Sequence, residues 1–228
     1  MTENELIDIV YDLYETDTTG WDTTSEEYLA ARAYANVAIA RWEKYDNTTW
    51  RDLWATLTAN TQSSPVLVKT LTAGTYTYTC PTDFIRPASW VRTGSAPQYW
   101  EVIDPKKVGD LDESEAFFCY FTGNVKDGFT LNFNPNKTLT TGDAISYEYY
   151  KAATTFTAIT SETEMSDPYF IVYYVLARFL KNDGEDYSEE GNQADDLLEN
   201  MRVVNMSGYG TVPNPVSDSL INNTGFGY

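Results

Sequence analysis

The sequence predicts an α+β protein in which helices from both ends of the chain enclose an inserted β-region. Apolar residues recur at steps of three and four in residues 1–64 and again in 161–206, which is the period of an amphipathic helix. Residues 65–160 instead alternate apolar and polar side chains between turn residues, as short antiparallel strands do. Because a buried helix near the carboxyl end needs partners, we expect one helical bundle made by both ends, with an antiparallel sandwich or small barrel inserted.

Two helices and one further short helical piece are predicted in residues 1–64. The first helix follows from the apolar positions Leu6, Ile7, Val10, Leu13 and Tyr14. Thr24 and Glu27 form the pattern of a capping box, and the residues after them predict a second helix of about five or six turns. The short piece is indicated by the spacing of Trp50, Leu53, Trp54 and Leu57.

The β-region contains four segments with strand character, separated by turn residues. They are Thr75–Cys80, Phe117–Phe121, Phe129–Phe133 and Ile145–Tyr150. Asp104 before Pro105 indicates a short helix within this region. Trp90, Tyr99 and Trp100 flank the turn residues 94–97, so we expect a β-hairpin that presents all three side chains to an interface or a carbohydrate.

A helical hairpin is predicted in residues 161–206. Asp167 and Pro168 suit the first positions of a helix, and residues 169–180 are apolar almost all round, so this helix should be buried. It is too short to span a membrane, which needs about 20 apolar residues, and we expect no membrane partner. Asp186 and Glu189 are expected to cap the last helix.

Residues 207–228 are predicted to form an extended arm that leaves its own subunit. Their glycines and prolines disfavour a helix, yet the segment keeps more apolar side chains than a solvated linker needs. We expect these side chains to contact a neighbouring subunit or another protein: Val212, Val216, Leu220, Ile221, Phe226 and Tyr228.

The composition argues against an enzyme. The chain has no histidine and only two cysteines, which removes the usual proton-transfer group and the usual nitrogen and sulfur metal ligands. We expect both cysteines, Cys80 and Cys119, to be core residues. No phosphate-binding loop, dinucleotide fingerprint or nucleophile elbow is present, so no cofactor and no metal are expected. A glycosidase-like carboxylate pair stays open, because 34 acidic residues offer many pairs.

The charge excludes a nucleic-acid footprint. The formal net charge is -19, and Lys106-Lys107 is the only pair of adjacent basic residues. Residues 1–12 contain no secretory signal, so the chain is expected to be made in a cytoplasm. Large contact area at interfaces is typical of aromatic side chains, which make up 15% of the chain. These observations favour a protein that assembles rather than one that reacts.

Several motifs occur in an order that resembles a family of bacteriophage proteins. They are Tyr34-Ala35-Asn36-Val37-Ala38 with Arg41-Trp42-Glu43, Trp50 and Leu53, Tyr78-Thr79-Cys80-Pro81-Thr82-Asp83-Phe84, Tyr147-Glu148-Tyr149-Tyr150-Lys151, Asp167-Pro168-Tyr169-Phe170, and the helix that contains Met201. Over about residues 23–206, this order is similar to that of the head-to-tail adaptors, connectors or tail tubular proteins of tailed bacteriophages.

The resemblance implies a structural virion protein, made in the host cytoplasm and located in the neck between head and tail. Such proteins are expected to form a ring, commonly twelve-fold, that joins the portal protein to the tail or to a nozzle or stopper protein. DNA would pass through the channel at ejection without specific binding, and an acidic channel wall suits this because it repels phosphates. The portal is then a candidate partner of the arm.

Two other functions stay open from the sequence. A tail completion or neck protein at another level of the virion would share the same features. A carbohydrate-binding β-sandwich would use Trp90 and Trp100 to stack on sugar, and it would be a monomer or small oligomer that retains a glycan.

Overall fold

The computed structural model describes residues 1–15, 20–57, 71–94, 96, 98–110 and 116–207. Its contacts divide the chain into two compact units, each with its own core. The helical unit contains residues 1–53 and 153–207, and the sheet unit contains residues 54–152. The α+β class is therefore confirmed. The division falls between Leu53 and Trp54 and between Ala152 and Ala153, whereas the boundaries predicted from the sequence are 64/65 and 160/161.

The helices and strands are numbered in chain order. The helices are α1 (Glu3–Tyr14), α2 (Glu26–Glu43), α3 (Tyr169–Asp183) and α4 (Ser188–Ser207). The strands are β1 (Trp54–Leu57), β2 (Thr77–Thr79), β3 (Phe84–Thr93), β4 (Gln98–Val102), β5 (Phe118–Asn124), β6 (Gly128–Phe133) and β7 (Ile145–Lys151). Short 3-10 turns occupy Tyr45–Asn47, Arg51–Leu53 and Pro105–Asp110.

The predicted first and second helices are confirmed as α1 and α2. With 18 residues, α2 has the expected five turns. Its predicted cap is wrong by one position, because Ser25 is the N-cap and its hydroxyl accepts from the Tyr28 amide. The hydroxyl and amide of Thr24 both donate to Asp22 instead, which removes Thr24 from the capping position.

Helix α3 is the centre of the helical unit. It packs against α1, α2 and α4, and the predicted burial is confirmed, with eight of its 15 residues buried on several sides of the helix. The Tyr169 amide donates to the Asp167 carboxylate at the start of the helix. Gly184, with φ of 77°, ends the helix, because its left-handed conformation lets its amide bond back to the last turn.

The sheet unit is one curled, mixed sheet of seven strands in the order β1-β7-β3-β4-β5-β6-β2. All paired strands are antiparallel except β4 and β5, which are parallel. The predicted all-antiparallel arrangement is therefore wrong at that pair. The cause is the long connection through residues 103–117, which includes the predicted short helix, observed as the 3-10 helix Pro105–Asp110, and is long enough for a parallel crossover.

The four strand-like segments correspond to β2, β5, β6 and β7, but one predicted helical piece is a strand. Arg51–Leu53 forms only a single 3-10 turn, and Trp54–Leu57 pairs with Tyr147–Tyr150 as β1. The helical spacing of the apolar residues is overridden here because β7 offers a free edge, and aromatic pairs such as Trp54 and Tyr150 stabilise a ladder.

Candidate interaction surfaces

Trp90 and Tyr99 form an exposed aromatic pair on the hairpin of β3 and β4. Trp90 lies opposite Glu101 and Arg92 lies opposite Tyr99, so all four side chains share one face of the sheet. The two aromatic side chains are 51% and 52% exposed, and their ring centroids are 6.5 Å apart with nearly perpendicular planes. The predicted hairpin and the exposure of these two residues are confirmed, and their role at an interface stays a prediction.

Trp100 does not belong to this pair, and the prediction that it is presented to a partner is wrong. Side chains alternate along a strand, so the residue after Tyr99 points to the opposite face. The side chain of Trp100 is only 1% exposed, its ring contacts Phe117 and Phe133, and its indole N–H donates to the Thr93 hydroxyl over 2.9 Å. Trp100 is therefore a satisfied core residue of the sheet unit.

The apolar side chains of the predicted arm lie outside the described residues: Val212, Val216, Leu220, Ile221, Phe226 and Tyr228. Their contact with a partner stays a prediction from composition.

The acidic charge is concentrated in the helical unit. Residues 1–53 and 153–207 contain 23 Asp and Glu against 7 Lys and Arg, a formal charge of −16. The sheet unit, residues 54–152, contains 10 acidic and 8 basic residues, a formal charge of −2. The helical unit therefore repels phosphate groups strongly, and the sheet unit is close to neutral.

One acidic strip of the helical unit follows a single face of α1. Glu5, Asp8, Asp12 and Glu15 are exposed and recur at steps of three and four; we call them the acidic ridge. Partial burial raises the pKa of Asp8, and the neighbouring Asp12 carboxylate raises it further. Because like charges one helical turn apart repel, the ridge is a surface that a cationic partner would stabilise.

A cationic cleft of about 390 Å³ lies on the same unit, between α3 and α4. We call it the basic cleft, and Arg41, Tyr174, Arg178, Lys181, Tyr187, Ser188, Asn192 and Asp195 are among its lining residues. The basic cleft is not evident from the sequence, because Arg41 lies far along the chain from Arg178 and Lys181. The available signal was Arg178 followed by Lys181 one turn later on an otherwise apolar helix.

Aromatic rings fix the positions of the cations in the cleft. The guanidinium groups of Arg178 and Arg41 lie 4.9 Å and 5.7 Å from the centroid of the Tyr174 ring. Arg178 Nη2 also donates to the Tyr174 hydroxyl over 2.6 Å. The Lys181 ammonium lies 5.2 Å from the centroid of the Tyr187 ring. Such cation–π contacts hold Arg178 and Lys181 at the cleft surface without neutralising their charges.

A buried carboxylate joins α1 to α2. The side chain of Glu3 is fully buried, and its Oε1 accepts from the Arg32 guanidinium over 2.7 Å and from the Tyr28 hydroxyl over 3.1 Å. Burial, and after it the neighbouring Glu3 carboxylate, raises the pKa of Tyr28 to about 12. The geometry places the negative charge between two donors inside the unit, which suits a structural link rather than a solvent-accessible acid or base.

The two cysteines are free and buried, as expected. Burial raises the pKa of the Cys80 thiol to about 12 and that of Cys119 well above its ordinary value. Both therefore stay protonated near neutral pH, and a thiol is a weak nucleophile and metal ligand compared with a thiolate.

Within the described ranges, no group of three or more His, Cys, Asp or Glu is arranged to hold a metal ion. None of the helices in those ranges combines the length and the apolar character that a membrane span needs.

No model of a known protein family matches the chain, and no curated protein is significantly similar to it in sequence.

Proposed function

We propose that the protein is a structural component of the tailed-bacteriophage neck, an adaptor that forms a ring between the portal and the tail and continues the DNA channel. The observation that carries the proposal is the charge of the helical unit, −16 against −2 for the sheet unit. A channel wall must let DNA slide without gripping it, and a surface dominated by carboxylates does not release counterions from the phosphate backbone.

The layout of the chain also supports an adaptor. Both ends of the chain contribute helices to one unit, and α3 from the carboxyl end packs against α1 and α2 from the amino end. We propose that these helices act as one bundle, with the sheet unit as an inserted module. One ring component would then carry two surfaces of different charge, one on each unit.

A structural role is consistent with the chemistry of the described residues. The cysteine thiols are buried and protonated near neutral pH, and the Glu3 carboxylate is held by Arg32 and Tyr28. We expect no turnover with peptidoglycan, polysaccharide or nucleotide substrates. Hydrolysis that a single Asp or Glu substitution abolishes would contradict this expectation.

The proposal is tested by mixing the purified protein with portal rings of candidate phages and imaging the particles by negative-stain electron microscopy. We expect an extra layer beneath the portal that follows the portal symmetry, and twelve copies of the 25.8 kDa chain would add about 310 kDa. Labelled protein found only at another level of the virion would instead support a tail completion or neck component.

The arm is part of the same proposal. We propose that residues 207–228 dock on the portal or on the adjacent subunit through their apolar side chains. A chain truncated after Met206 should keep its circular dichroism spectrum and bind the portal more weakly. If the truncated chain joins heads to tails as well as the full chain does, the arm has no role in attachment.

A carbohydrate-binding module is the second candidate, and the exposed Trp90–Tyr99 pair is the observation that favours it. Of the three hairpin aromatics, Trp90 and Tyr99 are available for stacking, because Trp100 is buried. Binding to a glycan array that Trp90→Ala abolishes, while Trp90→Phe keeps most of it, would favour this function over the adaptor.

A further inference from the structure

Two cations in the basic cleft have no carboxylate partner among the described residues. Arg41 is paired with Asp195, with 2.7 Å between Nη2 and Oδ1. Arg178 and Lys181 make no ion pair within the described ranges, although they lie in a unit with 23 acidic residues. In such a unit, two unneutralised charges beside each other at an open cleft form a site for an anionic partner.

The cleft and the acidic ridge lie on opposite sides of the helical unit. Tyr174, Arg178 and Lys181 share one side of α3 and line the cleft. Phe179 and Asp183 contact Tyr14 of α1, and they lie roughly 150° around the helix from that side.

The acidic ridge also points away from α3. Its residues lie on the exposed side of α1, whereas Leu6, Ile7 and Val10 face the core. A subunit therefore cannot place its own ridge in its own cleft, whereas a second copy can do so without rearrangement.

We propose that the basic cleft of one subunit binds the acidic ridge of a second copy of this chain, with Arg178 and Lys181 facing Asp8 and Asp12. The two surfaces differ, so the contact is head to tail, and a head-to-tail contact closes into a ring when the rotation between neighbours allows it. The inference rests on the proposed ring and extends it by naming the surfaces that join adjacent subunits.

Nucleic acid is the less favourable occupant of the cleft. A polyanion long enough to reach Arg178 and Lys181 would also cross the carboxylates of a unit with a formal charge of −16. The ridge brings two carboxylates one helical turn apart, which matches the one-turn spacing of Arg178 and Lys181 on α3. The contact also relieves the repulsion between Asp8 and Asp12.

A charge-swap series in the full-length chain tests the contact. R178E/K181E and D8K/D12K should each weaken self-association at least tenfold, because each places like charges opposite one another. The combined variant R178E/K181E/D8K/D12K reverses both surfaces and should recover association to within about threefold of the wild type. Sedimentation velocity gives the association constant at low salt, and negative-stain images give the number of subunits per portal-bound ring.

Matched controls separate a local contact from a change in total charge or folding. K106E/K107E, in the sheet unit, makes the same charge change as R178E/K181E. E101K/E148K, also in the sheet unit, makes the same charge change as D8K/D12K. Neither control should alter association. R178Q/K181Q removes the charges without adding acids, and circular dichroism should show the wild-type fold for every variant used, with thermal melting well above the assay temperature.

The possible results distinguish this inference from the adaptor proposal. Complete portal-bound rings with R178E/K181E would overturn the contact and leave the adaptor proposal standing. Self-association that follows the charge-swap pattern, without any layer on a portal, would support the contact and contradict the adaptor. A combined variant that stays dissociated, or a wild-type chain that associates neither in solution nor on a portal, would also overturn the contact.

Discussion

The helical unit and the sheet unit differ in charge, although both have cores of buried aromatic and aliphatic side chains. The helical unit carries a formal charge of −16 and the sheet unit −2, yet each contains fully buried aromatic residues, among them Trp42 and Phe170 in the first and Trp100 and Phe118 in the second. The acidic excess is therefore not needed to build a stable unit. Most of the acidic side chains lie at the surface of the helical unit, where their charge sets which molecules approach.

The difference has an energetic consequence. Self-repulsion destabilises a compact state of high net charge. The core of the helical unit must therefore offset an electrostatic repulsion that is small in the sheet unit. Salt screens this repulsion over about 8–10 Å. We therefore expect the helical unit to respond more strongly to ionic strength and to core truncation than the sheet unit.

The largest expected effect concerns the thiols of the sheet unit. With a pKa of about 12, Cys80 has roughly a thousandfold less thiolate near neutral pH than a thiol at the ordinary value of 9.0. Native protein should react with a thiol reagent at pH 8 at least about a hundredfold more slowly than protein in denaturant, where both cysteines react. Fast labelling of native protein would show that the sheet core around Cys80 and Cys119 opens.

Truncation of the central helix is expected to be the next largest effect. Leu176 is 6% exposed on α3, so Leu176→Ala should lower the free energy of unfolding by about 2–5 kcal/mol. Urea denaturation followed by far-UV circular dichroism measures it. Leu13→Ala on α1 is the matched control, because Leu13 is 54% exposed and the change should stay within about 0.5 kcal/mol. Equal melting of the two variants would contradict the central position of α3.

The link between α1 and α2 gives a smaller effect. Arg32→Met leaves the Glu3 carboxylate buried with only the Tyr28 hydroxyl as donor, which should cost about 2 kcal/mol. This is below the usual cost of breaking a buried ion pair because Arg32 keeps 24% of its side chain exposed. The same substitution at the exposed Arg92 of the sheet unit is the control, and a loss of similar size there would contradict the assignment.

The fold class could be predicted where the pattern of one segment decides its structure. The periodicity of α1 and α3, and the alternation in β6 and β7, are local signals that packing does not override. The helix prediction for Trp54–Leu57 was wrong because a four-residue, mostly apolar run fits a helix or a strand. Its partner β7 lies about 90 residues further along the chain.

The interaction surfaces were harder to predict for the same physical reason. Tyr99 and Trp100 lie on opposite faces because side chains alternate along β4, and the extent of β4 is defined by its pairing with β3. The basic cleft needs Arg41 beside Arg178, which only the packing of α2 against α3 provides. The only adjacent basic residues of the sequence, Lys106 and Lys107, do not line the cleft.

The smallest expected effect comes from the acidic ridge in the isolated subunit. Burial, and then the charge of Asp12, raises the pKa of Asp8 above its ordinary value of 3.8, so the folded state binds this proton more tightly than the unfolded state does. Stability from this group is therefore present at low pH and is lost as the pH rises through the pKa of the folded state. At pH 7 the ionised Asp8 destabilises α1.

Asp8→Asn should then stabilise the dilute protein by about 0.3 kcal/mol at pH 7, the size of a like-charge pair one helical turn apart. The new amide oxygen can still accept from Asn4, whose side-chain nitrogen lies 2.8 Å from the Asp8 carboxylate. The gain should vanish below pH 3.8, where the carboxyl is protonated in both states, and shrink in high salt. Asp12→Asn should give a gain of the same sign, and the double variant should gain less than the sum. Destabilisation by Asp8→Asn at pH 7 would show that Asp8 has a cationic partner within its own subunit, and the ridge would then be unavailable to a neighbour.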